Sequence, residues 1–159
     1  MYIHTYMSKQ KQQQKTLRTD AASLVETCAA LHSRLAARRI TQFLDREMVS
    51  CSLSTAQLGL MAQIAAAADD TLGALAQRTG LDQSTLSRNL RGLEADGLVE
   101  IAIVASDLRR RMVWLTETGA RRLEAAIPVW RAAHAKLAKS LSVARVRRLA
   151  SEAVTLSQQ

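Results

Sequence analysis

The sequence contains very little proline, glycine or aromatic residue. Of its 159 residues, one is proline, six are glycine, and only 3% are Phe, Trp or Tyr. Because proline and glycine interrupt helices, their scarcity beside many Ala, Leu, Arg and Gln residues favours long helices. The shortage of aromatic side chains argues against single-strand nucleic-acid modules, which stack bases on aromatic platforms. It does not count against duplex binding.

Cysteine and histidine residues are few and scattered. Cys28 and Cys51 are too few for a disulfide scaffold. Because neither they nor His4, His32 and His134 have the clustered spacing of metal ligands, a metal site built from His32, His134 and a carboxylate is disfavoured. No cofactor is expected. No paired carboxylates and no nucleophile beside a base stand out, so the sequence does not predict an enzyme.

Long apolar segments are also missing. No apolar run approaches the roughly 20 residues that span a bilayer, and the start MYIHTYMSKQKQQQK lacks the apolar stretch of a secretion signal. We therefore expect a cytoplasmic protein without a membrane partner. A chain of 159 residues with 48% hydrophobic composition can bury one core, with little left for a second domain.

The formal net charge of +8 suits a polyanionic partner, but the excess is spread along the chain. Residues 1–19 contain four basic residues and no acidic one. By contrast, 78–122 contains eight arginines and six acidic residues. Charge alone therefore does not identify a nucleic-acid interface, and the motifs must do so.

The first 50 residues divide into a polar arm and a long helix. Residues 1–19 are basic and glutamine-rich, and we expect them to be disordered because they cannot bury enough surface to offset the entropy of ordering. From about 21 to 49, apolar residues recur at helical spacing and predict one long helix. These residues are Leu24, Cys28, Leu31, Leu35, Ile40, Phe43, Leu44 and Met48.

Helix-start signals then follow one another closely. Ser54 and Gln57 form the S-x-x-Q pattern of a capping box, which predicts a second helix. Thr71 is a candidate cap for a short third helix, and a tight turn at 79–81 leads to Asp82, which can cap a fourth.

After Gly97 the apolar pattern changes from helical to alternating. Two short alternating runs, around 99–103 and 112–114, predict a β-hairpin with a polar tip at 105–111. Thr116 can cap a helix that runs to about 139, in which Pro128 is expected to cause a kink. A last amphipathic helix is predicted from about 142.

A helix, a tight turn, a second helix and a basic-tipped hairpin together indicate a winged helix-turn-helix. The fold class is thus mainly α with a small β-hairpin wing. On the helix 83–95, three leucines are expected to face inward. The outward face carries Gln83, Ser84, Thr85, Ser87, Arg88 and Arg91. Gln can pair with adenine, Arg with guanine, and hydroxyls near the helix start with phosphates. The simpler interpretation is an ordinary solvated face.

From residue 54 to about 126 the chain resembles the MarR (multiple antibiotic resistance regulator) family of winged-helix regulators. The helix-turn-helix stretch LAQRTGLDQSTLSRNLRGLEADGLV is in register with that family. Asp107-Leu108-Arg109 is similar to its D-x-R wing signature, and LTETG to the start of its next helix.

The resemblance implies roles for individual residues. Those that read or clamp the major groove would be Ser84, Thr85, Ser87 and Arg88. Arg109 would enter the minor groove, and Arg110 and Arg111 would contact phosphates. Asp107 would pair with an arginine and so shape the wing.

The resemblance also implies that the helices flanking the winged helix-turn-helix, 51–118, form a dimerisation region. These are the segments 20–50 and 119–159. Their apolar stripes are larger than one small winged-helix module can cover. We therefore expect a homodimer whose recognition helices lie about 34 Å apart on a near-palindromic operator in double-stranded DNA.

MarR-like regulators respond to small molecules bound between the dimerisation and DNA-binding regions. By the family layout, this crevice would involve His32, Arg39, Phe43 and Trp114. Packing or plain solvent exposure is the alternative for each of these four residues.

Cys28 occupies a position similar to that of the reactive cysteine in the hydroperoxide-sensing branch of the family. The tyrosines that surround that cysteine are missing here, since Tyr2 and Tyr6 are the only tyrosines. His32, one turn later, could stabilise a thiolate, and Cys51 could serve as a resolving thiol. Alternatively, Cys28 is a small hydrophobic residue of the apolar stripe.

We therefore predict a sequence-specific, double-stranded DNA-binding regulator, a repressor released by a small-molecule effector or by oxidation. The alternative is a winged-helix protein-interaction or architectural module without sequence-specific binding. Replacing Arg88 should distinguish the two, because only a sequence-specific regulator would lose its operator preference.

Overall fold

The computed structural model describes the backbone of residues 2–67, 71–104 and 107–158, and the side chains of 14–67, 71–103 and 111–156. The described part is mainly helical with one β-hairpin, which confirms the predicted fold class. The helices and strands are α1 (Tyr2–Thr27), α2 (Ala29–Glu47), α3 (Thr55–Ala65), α4 (Leu72–Thr79), α5 (Gln83–Ala95), β1 (Val99–Val104), β2 (Asp107–Leu115), α6 (Glu117–Ala138) and α7 (Val143–Ala153). Short 3-10 helices occupy Val49–Cys51 and Val154–Gln158. The chain divides into two compact units, Met1–Gln42 and Phe43–Gln159.

The start of the first unit differs from the sequence expectation. Instead of a disordered arm over 1–19, the backbone is helical from Tyr2 onward. The segment contains no proline or glycine and is rich in Gln, Lys and other good helix formers, so local propensity favours a helix even without burial. Every α1 side chain described, from 14 to 27, is exposed. The expectation of disorder considered burial only, and the structure corrects it.

The predicted single helix over 21–49 is divided between α1 and α2, with Cys28 between them. The N–H of Cys28 still donates to the Leu24 carbonyl at 2.9 Å. Nε2 of His32 lies 2.7 Å from the carbonyl oxygen of Glu26, so the ring N–H donates to it. The N–H of Leu31 donates to the carbonyl of Cys28 at 3.1 Å, a three-residue step that tightens the chain locally. A side chain that enters the backbone ladder is a known cause of helix breaks.

The second unit begins its helices at the residues that the capping signals indicated. The Ser54 hydroxyl accepts from the Gln57 N–H, and the Gln57 side chain accepts from the Ser54 N–H, so both halves of the capping box are present. Thr71 accepts from the N–H of Ala74 and starts α4. These caps confirm the predicted starts of α3 and α4.

One apolar core joins α3, α4, α5, the hairpin and α6. Its completely buried side chains are Met48, Met61, Leu75, Leu90, Leu93, Val99 and Val113. In the antiparallel hairpin, Val99 pairs with Leu115 and Ile101 with Val113. Burial decreases along β1 from Val99, which is buried, to Ile103, which is 55% exposed. The base of the wing is therefore part of the core, whereas Ile103, farther along β1, lies outside it.

Helix α6 begins in close contact with the chain that enters β1. The Thr116 hydroxyl donates to the Gly97 carbonyl at 2.7 Å and accepts from the Gly119 N–H at 2.9 Å. A Cβ atom on Gly119 would lie 1.9 Å from the carbonyl oxygen of Leu98, so only glycine fits there. The LTETG motif thus fastens the base of the wing to α6.

Helix α6 runs past Pro128 without interruption. Helix α7 begins after Ser142, whose hydroxyl accepts from the Arg145 N–H, close to the predicted start. Within the described residues, no helix is long and apolar enough to cross a membrane. Over the same part of the chain, no three His, Cys, Asp or Glu side chains are grouped as metal ligands would be.

Candidate nucleic-acid interface

The turn between α4 and α5 sets the position of the second helix. Gly80 ends α4 with a φ of +64°, in the left-handed region that favours glycine, and its N–H donates to Ala76 at 3.0 Å. Leu81, between the two helices, packs against the core. The next helix begins at Gln83, three residues after Gly80, which is the compact geometry of a helix-turn-helix.

Helix α5 is held on one face and open on the other. Leu86, Leu90 and Leu93 are all buried, as the spacing predicted. The helix has 13 residues and is therefore about 20 Å long, enough to lie along a major groove. On the open face, the structure brings together six predicted DNA-binding residues, of which Thr85 is half-buried and five are exposed: Gln83, Ser84, Ser87, Arg88 and Arg91.

The two arginines of α5 form no salt bridge with any side chain that the structure describes. Within the described part of the chain, the salt bridges join Arg121 to Glu117, Lys136 to Glu47 and Arg148 to Glu152. Arg88 and Arg91 take part in none of these. Their guanidinium groups therefore remain available for base edges or phosphates.

The start of α5 contains a hydrogen-bonded cluster that sequence analysis only partly found. Asp82 was assigned as a helix cap, and its Oδ1 does accept from the Thr85 N–H at 2.9 Å. In addition, Oδ1 accepts from the Ser84 hydroxyl at 2.6 Å, and Oδ2 accepts from the Thr85 hydroxyl at 2.8 Å. The signal was present in the sequence as Asp followed by Ser and Thr at positions two and three.

These donors stabilise the ionised form of Asp82. The Ser84 hydroxyl, then the Thr85 N–H and the Thr85 hydroxyl, hold the pKa of the Asp82 carboxyl well below its usual range. Helix α5 therefore starts with a fixed negative charge, although the net charge of the chain is positive.

The wing lies beside this helix-turn-helix in the chain, and its tip carries the remaining predicted DNA contacts. Arg111 pairs with Ile103 across the hairpin and its side chain is exposed. Asp107 begins β2, which also contains Arg109 and Arg110. The side chains of these three residues are outside the described set, so their DNA contacts and the pairing of Asp107 with an arginine remain predictions.

Trp114 has a clear structural role on the wing. It lies opposite Glu100 in the hairpin, and its indole N–H donates to the Glu100 carboxylate at 3.0 Å. Cross-strand pairs of this kind stabilise a hairpin. Of the other residues predicted for a ligand crevice, Phe43 is half-buried, Arg39 is exposed, and the His32 ring is bonded to Glu26.

The two cysteines are free thiols, and both are half-buried. Cys28 lies at the break between α1 and α2 in the first unit. Cys51 ends the 3-10 helix and packs against the core of the second unit.

Comparisons with known proteins agree with the resemblance to MarR-family regulators that the sequence indicated. A model of the MarR family matches residues 52–110. The structure of the M. tuberculosis transcriptional regulator MosR in complex with DNA is similar, with 33% identity, a TM-score of 0.74, and coverage of 82% of this chain and 96% of that one. MosR without DNA gives 31% identity and a TM-score of 0.71, with 84% and 98% of the two chains covered.

More distant structures share the fold. A cysteine-to-serine mutant of MarR from E. coli, in complex with operator DNA, has 23% identity and a TM-score of 0.70, with coverage of 84% of this chain and 96% of that one. No curated protein sequence matches the chain significantly.

Proposed function

The chain belongs to the MarR family of transcriptional regulators, and from this membership we propose that it is a homodimeric, sequence-specific repressor that binds double-stranded DNA. The observation that carries the proposal is the open face of α5. This face presents polar side chains and two arginines that form no salt bridge with the described residues, and the opposite face of the helix is anchored in the core. A helix fixed in this way can place side chains on base edges without losing much conformational freedom on binding.

In the proposed complex, α5 lies in the major groove and the wing lies over the adjacent minor groove. Arg88 pairs with the O6 and N7 atoms of a guanine, and Gln83 reads an adenine. Arg109 enters the minor groove, where its guanidinium is attracted by the negative potential. Arg110 and Arg111 neutralise phosphates and add affinity that does not depend on sequence.

A second copy of the chain is proposed to cover the flanking helices. The first unit by itself exposes a set of large apolar side chains: Leu17, Leu24, Val25, Leu31 and Leu35. The C-terminal end of the second unit exposes Val146, Leu149, Val154 and Leu156. Apolar surface on this scale usually marks an interface. A two-fold dimer would set the two copies of α5 about one turn of duplex apart and so select a near-palindromic operator.

Release of DNA is proposed to follow the binding of a small ligand or the oxidation of Cys28. The position of Cys28 between α1 and α2 supports the second route, because a new group on its sulfur would act at the junction of the two helices. Cys51 is the candidate resolving thiol. For a small ligand, the candidate contacts remain His32, Arg39, Phe43 and Trp114.

The test is an anisotropy titration of the full chain against the duplex upstream of its own coding region, with a scrambled duplex as control. It is run with reduced protein and after mild peroxide. Preference for the upstream duplex that persists at raised salt supports the proposed repressor, because non-specific binding falls steeply with salt. If peroxide abolishes this preference and thiol restores it, oxidation is the release signal. If peroxide has no effect, the ligand route stands.

A Cys28→Ser variant tests whether Cys28 is the residue that senses peroxide. It should bind the upstream duplex equally well with and without peroxide if Cys28 is the oxidised group. If the native chain binds both duplexes equally, bound sequences are selected from a pool of random duplexes. A regulator of other genes would enrich a motif, and an architectural module would enrich none.

A further inference from the structure

We propose that Asp82 is a positioning residue that accepts the hydroxyl hydrogens of Ser84 and Thr85, so that these two hydroxyls can only accept hydrogen bonds from DNA. This fixed direction of donation is the polarity of the cluster. Ser84 and Thr85 would therefore select base pairs that present an amino group. The amino groups available in the major groove are N6 of adenine and N4 of cytosine. This inference rests on the proposed DNA-binding function and deepens it, since it names what two residues of the interface recognise.

The direction of each hydroxyl hydrogen follows from the distances. A hydroxyl has one hydrogen to donate and two lone pairs, whereas an ionised carboxylate only accepts. The Ser84 Oγ lies 2.6 Å from Asp82 Oδ1, and the Thr85 Oγ1 lies 2.8 Å from Oδ2. Both hydrogens therefore point toward Asp82. What the two hydroxyls can still offer to a neighbour is a lone pair.

The carboxylate remains ionised under the conditions in which DNA is bound. Hydrogen bonds from the Ser84 hydroxyl and from the N–H and hydroxyl of Thr85 hold the pKa of Asp82 well below its usual range. Asp82 therefore does not acquire a proton that it could donate back to either hydroxyl. The polarity of the cluster is fixed across ordinary pH.

Two kinds of DNA group are excluded by this polarity. Phosphate oxygens are acceptors, so they cannot pair with hydroxyls whose hydrogens are engaged, and the Asp82 charge repels them. The guanine O6 and N7 and the thymine O4 are acceptors too. The exocyclic amino groups remain. On this proposal the two hydroxyls read bases, whereas the sequence alone led us to expect that hydroxyls near the helix start contact phosphates.

The substitution Asp82→Asn changes this polarity with little change to the fold. Asparagine is as good a helix cap as aspartate, and its Oδ1 can still accept from the Thr85 N–H. Its amide nitrogen replaces Oδ2 and donates to the Thr85 hydroxyl. The hydroxyl hydrogen of Thr85 is then free to point outward. At the base pair that Thr85 contacts, the preference should change from an amino group to an acceptor, that is, to guanine or thymine.

The experiment selects bound duplexes from a pool with a randomised central segment, using the native full chain and the variant, and sequences them. The relative preference at one symmetric pair of positions should change by about 5- to 150-fold, because one neutral hydrogen bond is lost on one base and another is gained on the alternative base. The matched control is Asp96→Asn, which removes the same charge from the other end of α5. Asp96 is exposed, and among the described side chains it has no hydrogen-bond partner. It should change affinity without changing preference.

Thr85→Val gives an independent test, because valine keeps the backbone cap and removes only the hydroxyl. It should lose the preference at that position without gaining another. A third test uses the native protein and does not depend on any variant folding. Replacing the selected adenine by deoxynebularine, or the selected cytosine by a 2-pyrimidinone analogue, removes the amino group and should weaken binding by about 2- to 12-fold, the loss of one neutral hydrogen bond.

The outcomes separate this inference from the function on which it rests. If the native chain enriches no motif at all, the proposed DNA-reading function fails. If it enriches a motif, but Asp82→Asn and Asp96→Asn select the same bases as the native chain, the regulator stands and the role of Asp82 is wrong. Unchanged affinity for the analogue-containing duplexes would overturn the inference in the same way.

Discussion

The two units of the chain differ in how their apolar residues are used. In the second unit, α3, α4, α5, the hairpin and α6 share one core with side chains such as Leu90 and Leu93 almost completely buried. In the first unit, none of the described side chains, from 14 to 42, is buried. Large apolar residues such as Leu24, 58% exposed, face outward instead.

This difference indicates where each region obtains its stability. Burial of apolar surface is the main favourable contribution to folding, so the winged helix-turn-helix can fold within one chain. Isolated helices are marginal in water without packing. The first unit is therefore the part of the chain whose stability we expect to depend on the proposed dimer.

The largest expected effect comes from a cavity in the second unit. Leu90→Ala removes a side chain of α5 that is 2% exposed and should lower the free energy of unfolding by about 2–5 kcal/mol. Chemical denaturation measures this change. The control is Leu24→Ala in the first unit, which should change the unfolding of the core by less than about 0.5 kcal/mol. Equal effects of the two substitutions would contradict the view that the second unit is stabilised by its own core and the first unit is not.

The next largest effect concerns the attachment of the wing to α6. Gly119→Ala places a methyl group against the backbone of Leu98, which cannot move aside as a side chain can, and should cost about 3 kcal/mol. Gly59→Ala is the matched control, because its Cβ would have open space in the middle of α3, and it should stabilise the chain by roughly 0.5–1 kcal/mol. Thermal unfolding of both variants should shift in opposite directions.

A smaller effect is expected in binding. Arg88→Ala should cost about 1–3 kcal/mol at one operator position and relax specificity there. Arg111→Ala should weaken binding to all sequences similarly and flatten the salt dependence by about one unit. Titrations against an operator, a singly altered operator and a scrambled duplex, at several salt concentrations, separate the two. A uniform loss for both variants would contradict base reading by Arg88.

The smallest effect on the stability of the core is expected at the flanking surface. Leu149 on α7 is 57% exposed, so Leu149→Asp should leave unfolding of the core within about 0.5 kcal/mol of the native chain. It should nevertheless weaken self-association, because it places a charge in the proposed interface. Sedimentation over a range of concentrations measures this. A variant that associates as tightly as the native chain would exclude α7 from the interface.

Local signals predicted much of the fold and part of the site. The capping residues Ser54, Thr71 and Asp82 begin their helices as predicted, and the alternating run after Gly97 is the hairpin. Capping and strand alternation involve residues within a few positions of one another, so they are legible in sequence. The hydrogen bonds from the Ser84 and Thr85 hydroxyls to the Asp82 carboxylate are equally local, so they too could be predicted from the sequence.

The sequence by itself determined the order of helices and strands from α3 onward, the family and the open face of α5, since these depend on spacing along the chain. Only the tertiary structure decided that His32 interrupts the first helix, that Trp114 is paired with Glu100, and that Gly119 lies against Leu98. The last two contacts depend on hairpin register and on packing between distant segments, and the first on a side chain that competes with a backbone donor. Propensities do not contain that information, because each contact is selected by the free energy of the whole arrangement.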